Sequence, residues 1–356
     1  MRRSTWRNVR AAAKGLLANS PMVIARDEIA EMARTLSRLT ASVPFQVIHA
    51  DQLSMAGYGQ FAADNAARHG PRPATLLDEH NAIYLLTQRM ADTESDALRR
   101  LIIRREAAAF ARYEARMLAA YDAVLTVTEE DRLRLLALLN DAGRRDAASA
   151  SKFTVLPICG DAEQVSVIPR APGGPPTILH LGTMFWPPNI QGVLWFARQV
   201  LPLVHRRVPE ARFVIAGKNP PPEVVALGAD PRIEVAGYVP DPVPCLEASD
   251  VFIVPLHTGG GMRVKIVDAW LRGLPVVSTP IGAEGIESRD GENILIAATP
   301  EAFADATIRL LADPALNARL RADGRRWAEE RYSWQTVYRR VDEVYARLLD
   351  RKSNRG

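Results

Sequence analysis

The sequence predicts an α/β protein of two Rossmann-like parallel-sheet domains, the N-terminal one incomplete, with a C-terminal helix crossing back to it. Three observations carry this. From residue 176 onward, short apolar runs alternate with segments of helical period. The runs Phe213-Val214-Ile215-Ala216 and Val251-Phe252-Ile253-Val254 are apolar on both faces, as strands buried between two helical layers must be. Finally, 356 residues exceed one ordinary core and suit two domains of about 150 residues each.

The second half is the more regular. Strands are expected at 177–181, 212–216, 232–236, 251–255, 275–278 and 293–296. Between the first two, Asn189 reads as a helix N-cap, and Ile190, Val193, Leu194, Ala197 and Leu201 recur at helical spacing. The result is a doubly wound domain over 171–333. The first half, 1–170, repeats this grammar less completely, with strands at 45–49, 74–78, 123–127 and 153–156. A long helix near 97–120 rests on Leu98, Ile102, Ala109, Tyr113 and Met117. Ahead of the first strand only helical material is found, at 27–39, with Ile29, Met32, Leu36 and Leu39 on one face. Proline and glycine over 169–176 mark a linker. After Ser333, Val337, Val341, Val344 and Leu348 mark an amphipathic helix over 334–351, which needs the first domain as a surface to cover.

Composition sets bounds on function. With 47% hydrophobic and 24% charged residues, neither disorder nor a fibre is expected. A net charge of +4 suits a phosphorylated small molecule, nucleic acid or an anionic membrane face alike. No module interleaves aromatic with basic residues, so nucleic acid is not the expected partner. Cys159 and Cys245 lie far apart and without histidines at ligand spacing, so neither a disulfide framework nor a metal site is implied. No stretch approaches the roughly 18 consecutive apolar residues of a membrane span, and the N-terminus lacks the apolar core of a secretion signal. A cytoplasmic location is the expectation. Arg2, Arg3, Arg7, Arg10 and Lys14, with Trp6, Val9, Leu16 and Leu17, have the pattern of a basic helix resting on the inner membrane surface; a solvated terminus is the plainer reading.

The chemistry concentrates in residues 254–268. This segment follows a buried strand and opens a helix containing Ile266, Val267 and Trp270. Gly259, Gly260 and Gly261 let the backbone approach a ligand, and the free N–H groups of a helix start favour an anion. Arg263 and Lys265 place two cations in the first turn, against the helix dipole, at a cost of a few tenths of a kcal/mol each. A bound anion removes that cost. A glycine loop with solvated Arg and Lys side chains is the competing reading.

The run from Gly261 to Thr279 (GMRVKIVDAWLRGLPVVST), followed by Gly282-Ala283-Glu284-Gly285, resembles the donor-site signature of retaining family 4 glycosyltransferases of the GT-B fold, the glycosyl transferases group 1. Flanking pieces agree with it: Ile178-Leu179-His180-Leu181-Gly182, Phe213-Val214-Ile215-Ala216-Gly217-Lys218, Ala236-Gly237-Tyr238-Val239, Asp290-Gly291-Glu292-Asn293 and Tyr332-Ser333-Trp334. The resemblance spans nearly all of 176–350. In the first half it rests on Val47-Ile48-His49, Leu77-Asp78-Glu79-His80-Asn81 and Val124-Leu125-Thr126-Val127-Thr128-Glu129. It implies transfer of a glycosyl group from a nucleotide-diphosphate sugar with retention at the anomeric carbon, without a metal ion or other cofactor. A saccharide, lipid-linked or small hydroxylated molecule is the implied acceptor. Arg263 and Lys265 would neutralise the donor diphosphate and Asp268 would bind its ribose. Gly237 and Tyr238 would lie near the base. His80 would face sugar and acceptor, and Gly182, Gly217, Lys218, Gly259, Gly260 and Gly261 complete the implied donor site.

The departures are specific. Asp268 stands where the family usually has a longer glutamate, so a helix-surface ion pair competes with ribose binding as its role. Gly260 replaces a second, sugar-facing glutamate. The loop Thr183-Met184-Phe185-Trp186-Pro187-Pro188 carries no cation where relatives often place Arg and Lys, leaving the phosphate to Arg263, Lys265 and Lys218. His80 serves either an acceptor hydroxyl or its own loop. His49 reads as structural, and Glu129 and Glu130 as the acidic start of a helix capped by Thr128. Residues 1–20 contain no opening strand and glycine-rich turn. Either the start given lies downstream of the true one or the chain is natively shortened, in which case a non-catalytic nucleotide-sugar-binding protein is the alternative function.

Overall fold

Strands that are apolar on both faces have to sit between helices, and the chain folds into two parallel sheets that do so. The computed structural model describes residues 20–144, 150–169, 174–259 and 261–353. Two units divide it, one formed by residues up to Pro157 together with those from Arg339, the other by Ile158–Tyr338. The basic terminal segment, Gly260 and much of the 169–176 linker lie outside the described residues. Among the described residues no helix is long and apolar enough to cross a membrane, and Cys159 and Cys245 are free thiols.

In the first unit, α1 (Met22–Asp27) and α2 (Ala30–Ser42) lead to β1 (Val47–Asp51) and α3 (Leu53–Ala66). Then come β2 (Ala74–Glu79), α4 (Ile83–Thr93), α5 (Ala97–Ala120), β3 (Ala123–Thr126), α6 (Glu129–Asp141) and β4 (Phe153–Val155). The sheet order is β1-β2-β3-β4. Successive residues of β2 serve opposite faces: Leu77 packs with Val124, Tyr113 and Leu118, whereas Leu76 packs with Leu125, Val344 and Leu348. The expected helix at 27–39 is broken, because the Tyr58 hydroxyl donates to Asp27 O at 2.9 Å and accepts from the Ile29 N–H, holding Ile29 extended. The first strand begins two residues later than expected, since Phe45 is caught in a turn by Val43 O and pairing with β2 runs from Val47 to Asp51. Thr128 does cap α6, accepting from the Asp131 N–H at 3.0 Å.

This unit buries carboxyl groups. Glu114 reaches from α5 to accept from the Ile83 and Tyr84 N–H groups at 3.0 and 2.9 Å, and so caps α4. Glu79 is 1% exposed, and its two oxygens take no hydrogen bond among the described residues. Burial, reinforced by Glu114, holds the Glu79 carboxyl well above its ordinary range. Burial pushes Glu114 from 4.5 up to about 8. In the unfolded chain both acids release their protons near 4.5, whereas the fold retains them, so unfolding releases protons and stability falls as pH rises from 4.5 toward 8. Glu79→Gln, which cannot ionise, is therefore expected to unfold at a higher urea midpoint than the wild type at pH 8 and at a similar one at pH 5. Coincident midpoints at pH 8 would show that an ionised Glu79 is tolerated.

The second unit contains β5 (Thr177–Leu181), α7 (Pro187–Trp195), α8 (Leu201–His205), β6 (Arg212–Ala216), α9 (Pro222–Val225), β7 (Ile233–Gly237), α10 (Val243–Glu247) and β8 (Val251–Val254). After these follow α11 (Val264–Leu271), β9 (Val276–Ser278), β10 (Leu295–Ile296), α12 (Pro300–Ala312), α13 (Pro314–Tyr332) and α14 (Trp334–Ser353). Between α7 and α8 lies one π turn, Phe196–Val200, in which the Leu201 N–H reaches back to Phe196 O. Pro202 has no N–H to continue the α pattern there. The sheet order is β10-β9-β8-β5-β6-β7, so the chain runs outward from β5 on one side, then returns to β8 on the other. That reversal creates a topological switch point between β5 and β8. One face packs Phe196, Phe213 and Phe303; the other centres on Trp270, which is wholly buried.

The division between units falls at 157/158 instead of 170/171. Residues 158–169 belong to the second unit because the Gly160 N–H donates to Tyr332 O at 2.8 Å, the Ile168 N–H donates to Arg272 O at 2.9 Å, and Ile168 is buried beside Trp270. Helix α14 starts at Trp334 as the pattern after Ser333 predicts; from Arg339 it belongs to the first unit, where Val344 and Leu348 cover Leu76 and Leu125.

Candidate functional site

The predicted donor residues cluster at the carboxyl ends of the second sheet. Gly182 follows β5, Gly217 follows β6, Gly237 ends β7, and Gly259 and Gly261 lie between β8 and α11. Close approach explains two of them. A Cβ on Gly217 would stand 1.7 Å from Gly182 O, and a Cβ on Gly182 would stand 2.7 Å from Lys265 Nζ. Gly259 has φ +121° and Gly261 has φ +75°, so the loop takes turns that side chains resist.

Helix α11 has Arg263 at its N-cap with no side-chain cap among the described residues, and the Ile266 N–H donates to Arg263 O at 2.8 Å. Arg263 is 4% exposed and donates from Nη2 to Ile281 O at 3.3 Å. Lys265 donates from Nζ to Asn189 Oδ1 at 3.0 Å. Burial, together with the charge of Arg263, pushes the Lys265 ammonium down to about 8. Two cations thus sit half or wholly buried at one helix mouth, an arrangement that binds an anion favourably. Ser278 donates to Val254 O at 3.1 Å, tying the end of β9 to the end of β8, and Thr279 Oγ1 accepts from the Gly282 N–H at 2.8 Å in the turn after β9.

Other predicted residues stand apart. Lys218 lies 4.3 Å from the Tyr238 ring centroid, a cation–π pair of its own, with Tyr238 59% exposed. Asp268 accepts from Arg272 Nε with both oxygens at 3.2 Å, the surface ion pair that competes with ribose binding as its role. His80 belongs to the first unit, where Nε2 lies 2.9 Å from Asp51 Oδ1 and 3.8 Å from Asp78 Oδ2. Asp51, Asp78 and His80 bring their ligand atoms within 4.8 Å of one another. With Glu79, Asn81 and Gln52, His80 lines a cavity of about 220 Å³. His49 bonds the Tyr345 hydroxyl at 2.9 Å, as a structural histidine does.

Two residues at the helix mouth escape sequence reasoning. Asn189 is not the N-cap: α7 starts at Pro187 with Trp186 before it, and Asn189 is 2% exposed inside the first turn. Pro187, a natural first helical residue, was the available signal. His180 is wholly buried on β5 with Nδ1 3.2 Å from Ile253 O, and no partner for Nε2 among the described residues. Burial, then the Lys265 charge, holds its imidazole well below the ordinary range, so it is neutral. A buried histidine on a mostly apolar strand carries no sequence mark of its neighbours.

Two parallel-sheet α/β units, the second with a switch point over a cationic helix mouth, define a protein of the GT-B fold. Over 94% of its length the chain superposes on Anabaena HepE, crystallised with UDP and glucose, at a TM-score of 0.65 and 15% identity, covering 83% of that chain. Residues 175–313 match the family described as glycosyl transferases group 1. An uncharacterized 44.6 kDa protein in the cps region of Klebsiella pneumoniae is 31% identical over 36% of this chain and 35% of its own length. The phosphatidyl-myo-inositol mannosyltransferase of Mycobacterium leprae is 28% identical over 64% of this chain and 63% of its own. The chain therefore spans between about a third and two thirds of the curated relatives it matches.

Proposed function

We propose that the protein is a retaining family 4 glycosyltransferase that moves a sugar from a nucleotide-diphosphate donor to a hydroxyl acceptor. One observation carries this reading: two buried or half-buried cations, Arg263 and Lys265, flank an uncapped helix start at the switch point, beside glycines packed too closely for any side chain. In the reaction the bond from the anomeric carbon to the donor phosphate breaks, a bond to the acceptor oxygen forms, and the acceptor proton is released. Charge grows on the departing diphosphate, and fixed cations stabilise it more in the transition state than in the ground state.

In this proposal Arg263, Lys265 and the 259–261 backbone hold the diphosphate, with Gly182 and Gly217 providing room. Tyr238 and Gly237 border the base, Lys218 joins Arg263 and Lys265 on the phosphate side, Asp268 exchanges Arg272 for the ribose, and His80 orients the acceptor. The relative from M. leprae favours a lipid-linked acceptor met at the inner membrane surface, with the chain itself in the cytoplasm. The donor serves as substrate, and no cofactor or metal is assigned.

Binding of UDP- or GDP-sugars is expected to raise the melting temperature, by about 2.7 kcal/mol of stabilisation at a hundredfold excess over Kd. No response to any nucleotide or nucleotide sugar would remove the reading. Among the described residues the first sheet has four strands against six in the second, which favours one competing function, donor binding without transfer. That alternative yields stabilisation without release of nucleoside diphosphate from a donor offered with simple hydroxyl acceptors.

A further inference from the structure

We infer that Asn189 is a positioning residue for Lys265, and that through it the β5–α7 loop, which carries no cation, acts on the diphosphate. The inference rests on the donor-site reading above for what Lys265 binds, but not for how Lys265 is held.

The geometry is a two-ended clamp. Asn189 Nδ2 donates to Thr183 O at 2.9 Å, which anchors the amide to the loop just beyond β5. Its Oδ1 accepts from Lys265 Nζ at 3.0 Å. Because one end of the amide is committed as donor, the other has to present its oxygen, the end an ammonium requires. Gly182 makes the meeting possible: a Cβ there would come within 2.7 Å of Nζ and 2.8 Å of Nδ2. Pro187 and Pro188 fix where α7 begins, so Asn189 falls on its buried first turn instead of at its cap. Trp186, immediately before, packs toward Gly259; a Cβ at Gly259 would touch its ring edge at 3.4 Å. One short segment thus contacts both the lysine and the glycine loop of the anion site.

The groups facing Lys265 explain why it needs such a partner. Arg263 on its own element and His180 from β5 both surround it, and each raises the cost of its charge or is raised in cost by it. A half-buried ammonium with a cation beside it and a neutral imidazole behind it would turn away or lose its proton without an acceptor. Asn189 supplies a neutral one, which holds the ammonium in place without cancelling the charge that a diphosphate needs. A carboxylate in that place would hold it equally well and neutralise it.

Three full-length proteins test this: wild type, Asn189→Leu and Asn189→Asp. The chain has five lysines, so the Lys265 side-chain signal can be followed by NMR in isotopically labelled, ligand-free protein and assigned with Lys265→Met. The wild type is expected to titrate near the value of about 8 that burial imposes. Asn189→Leu removes the acceptor and should move the Lys265 midpoint down; Asn189→Asp adds a negative charge and should move it up. GDP and UDP titrations then read the consequence. Affinity in the wild type should decline as pH rises through about 8, because the ammonium is the binding form. In Asn189→Leu affinity at pH 7 should fall about tenfold or more, with the decline starting at lower pH. In Asn189→Asp the decline should start at higher pH.

A purely structural role for Asn189, through Thr183, predicts that Leu and Asp behave alike, since neither can donate to Thr183 O. Midpoints that move in the same direction, or that stay at the wild-type value in both variants, overturn the assignment. Should the wild type bind no nucleotide while the two midpoints separate as described, the donor-site reading falls and the Asn189–Lys265 clamp stands.

Discussion

Arg263→Ala combined with Lys265→Ala is expected to weaken GDP and UDP binding by at least a hundredfold, with the fold retained. Each side chain offers charge-assisted hydrogen bonds, and a hydrogen bond to a charged group contributes about 1.5–3 kcal/mol. Losing two such groups removes about 3–6 kcal/mol, or roughly 10²–10⁴ in Kd. Helix geometry gives the sign of the effect on the free protein. Both cations sit against the positive end of α11, so the unliganded protein carries an electrostatic cost that a diphosphate relieves. Removing Lys265 alone should leave thermal stability unchanged or slightly raised. Removing Arg263 should lower it, because Arg263 is 4% exposed and bonded to Ile281 O, and its loss leaves a gap. Calorimetric titration checks the first expectation and thermal melting the second. Wild-type affinity in the double variant would take the diphosphate away from this helix mouth.

Gly217→Ala is expected to lower the melting temperature by about 6–12 °C, the shift that about 3 kcal/mol produces in a domain of this size. The added methyl would stand 1.7 Å from Gly182 O and 2.8 Å from Gly182 C. Neither is a side-chain end that can swing aside. The Gly182 N–H is bonded to Ala216 O at 2.9 Å and the Gly217 N–H to Gly237 O at 2.7 Å, so the loops after β5, β6 and β7 would have to part together. Overpacking against side chains usually costs about 1–3 kcal/mol, and rigid backbone puts this case at the upper end. Nucleotide affinity should fall with it, since Gly182 also borders Lys265. Gly70→Ala is the control: none of the described residues lies within 4 Å of its added Cβ, and its melting temperature should match the wild type. Equal melting of Gly217→Ala and Gly70→Ala would mean that the two loops are free to separate.

Local signals made much of this legible. The strand runs after residue 176 are apolar on both faces and separated by turn residues, and each of the six appears as a strand within two residues of its expected place. Helix 97–120 also appears as expected, and Asp96, which accepts from the Arg99 N–H, caps it. The misplaced features share a cause. Asn189 looked like a cap because only the residue type was visible; its amide is used instead by Thr183 O and Lys265 Nζ, partners that are 6 and 76 residues away. Tyr58 breaks the helix at 27–39 from about thirty residues downstream. The Ile168 segment joins the second unit through Arg272 and the Trp270 core, a decision that a proline-rich stretch in isolation does not announce.

Taken alone, the sequence determined the α/β class, the strands of the second sheet, the glycine-rich and cationic composition of the 259–265 segment and the amphipathic C-terminal helix. These follow from periodicity, glycine content and charge, all of which are properties of neighbours along the chain. Only the tertiary structure decided which groups share an environment: that Lys265 meets Asn189 through the space left by Gly182, that Asp268 is engaged by Arg272, that His80 is paired with Asp51, and that Glu79 is buried without a hydrogen-bond partner among the described residues. The physical reason is that burial, and the desolvation and pairing it imposes, depends on elements far apart in the chain, whereas helix and strand periods are written within a single turn or pleat.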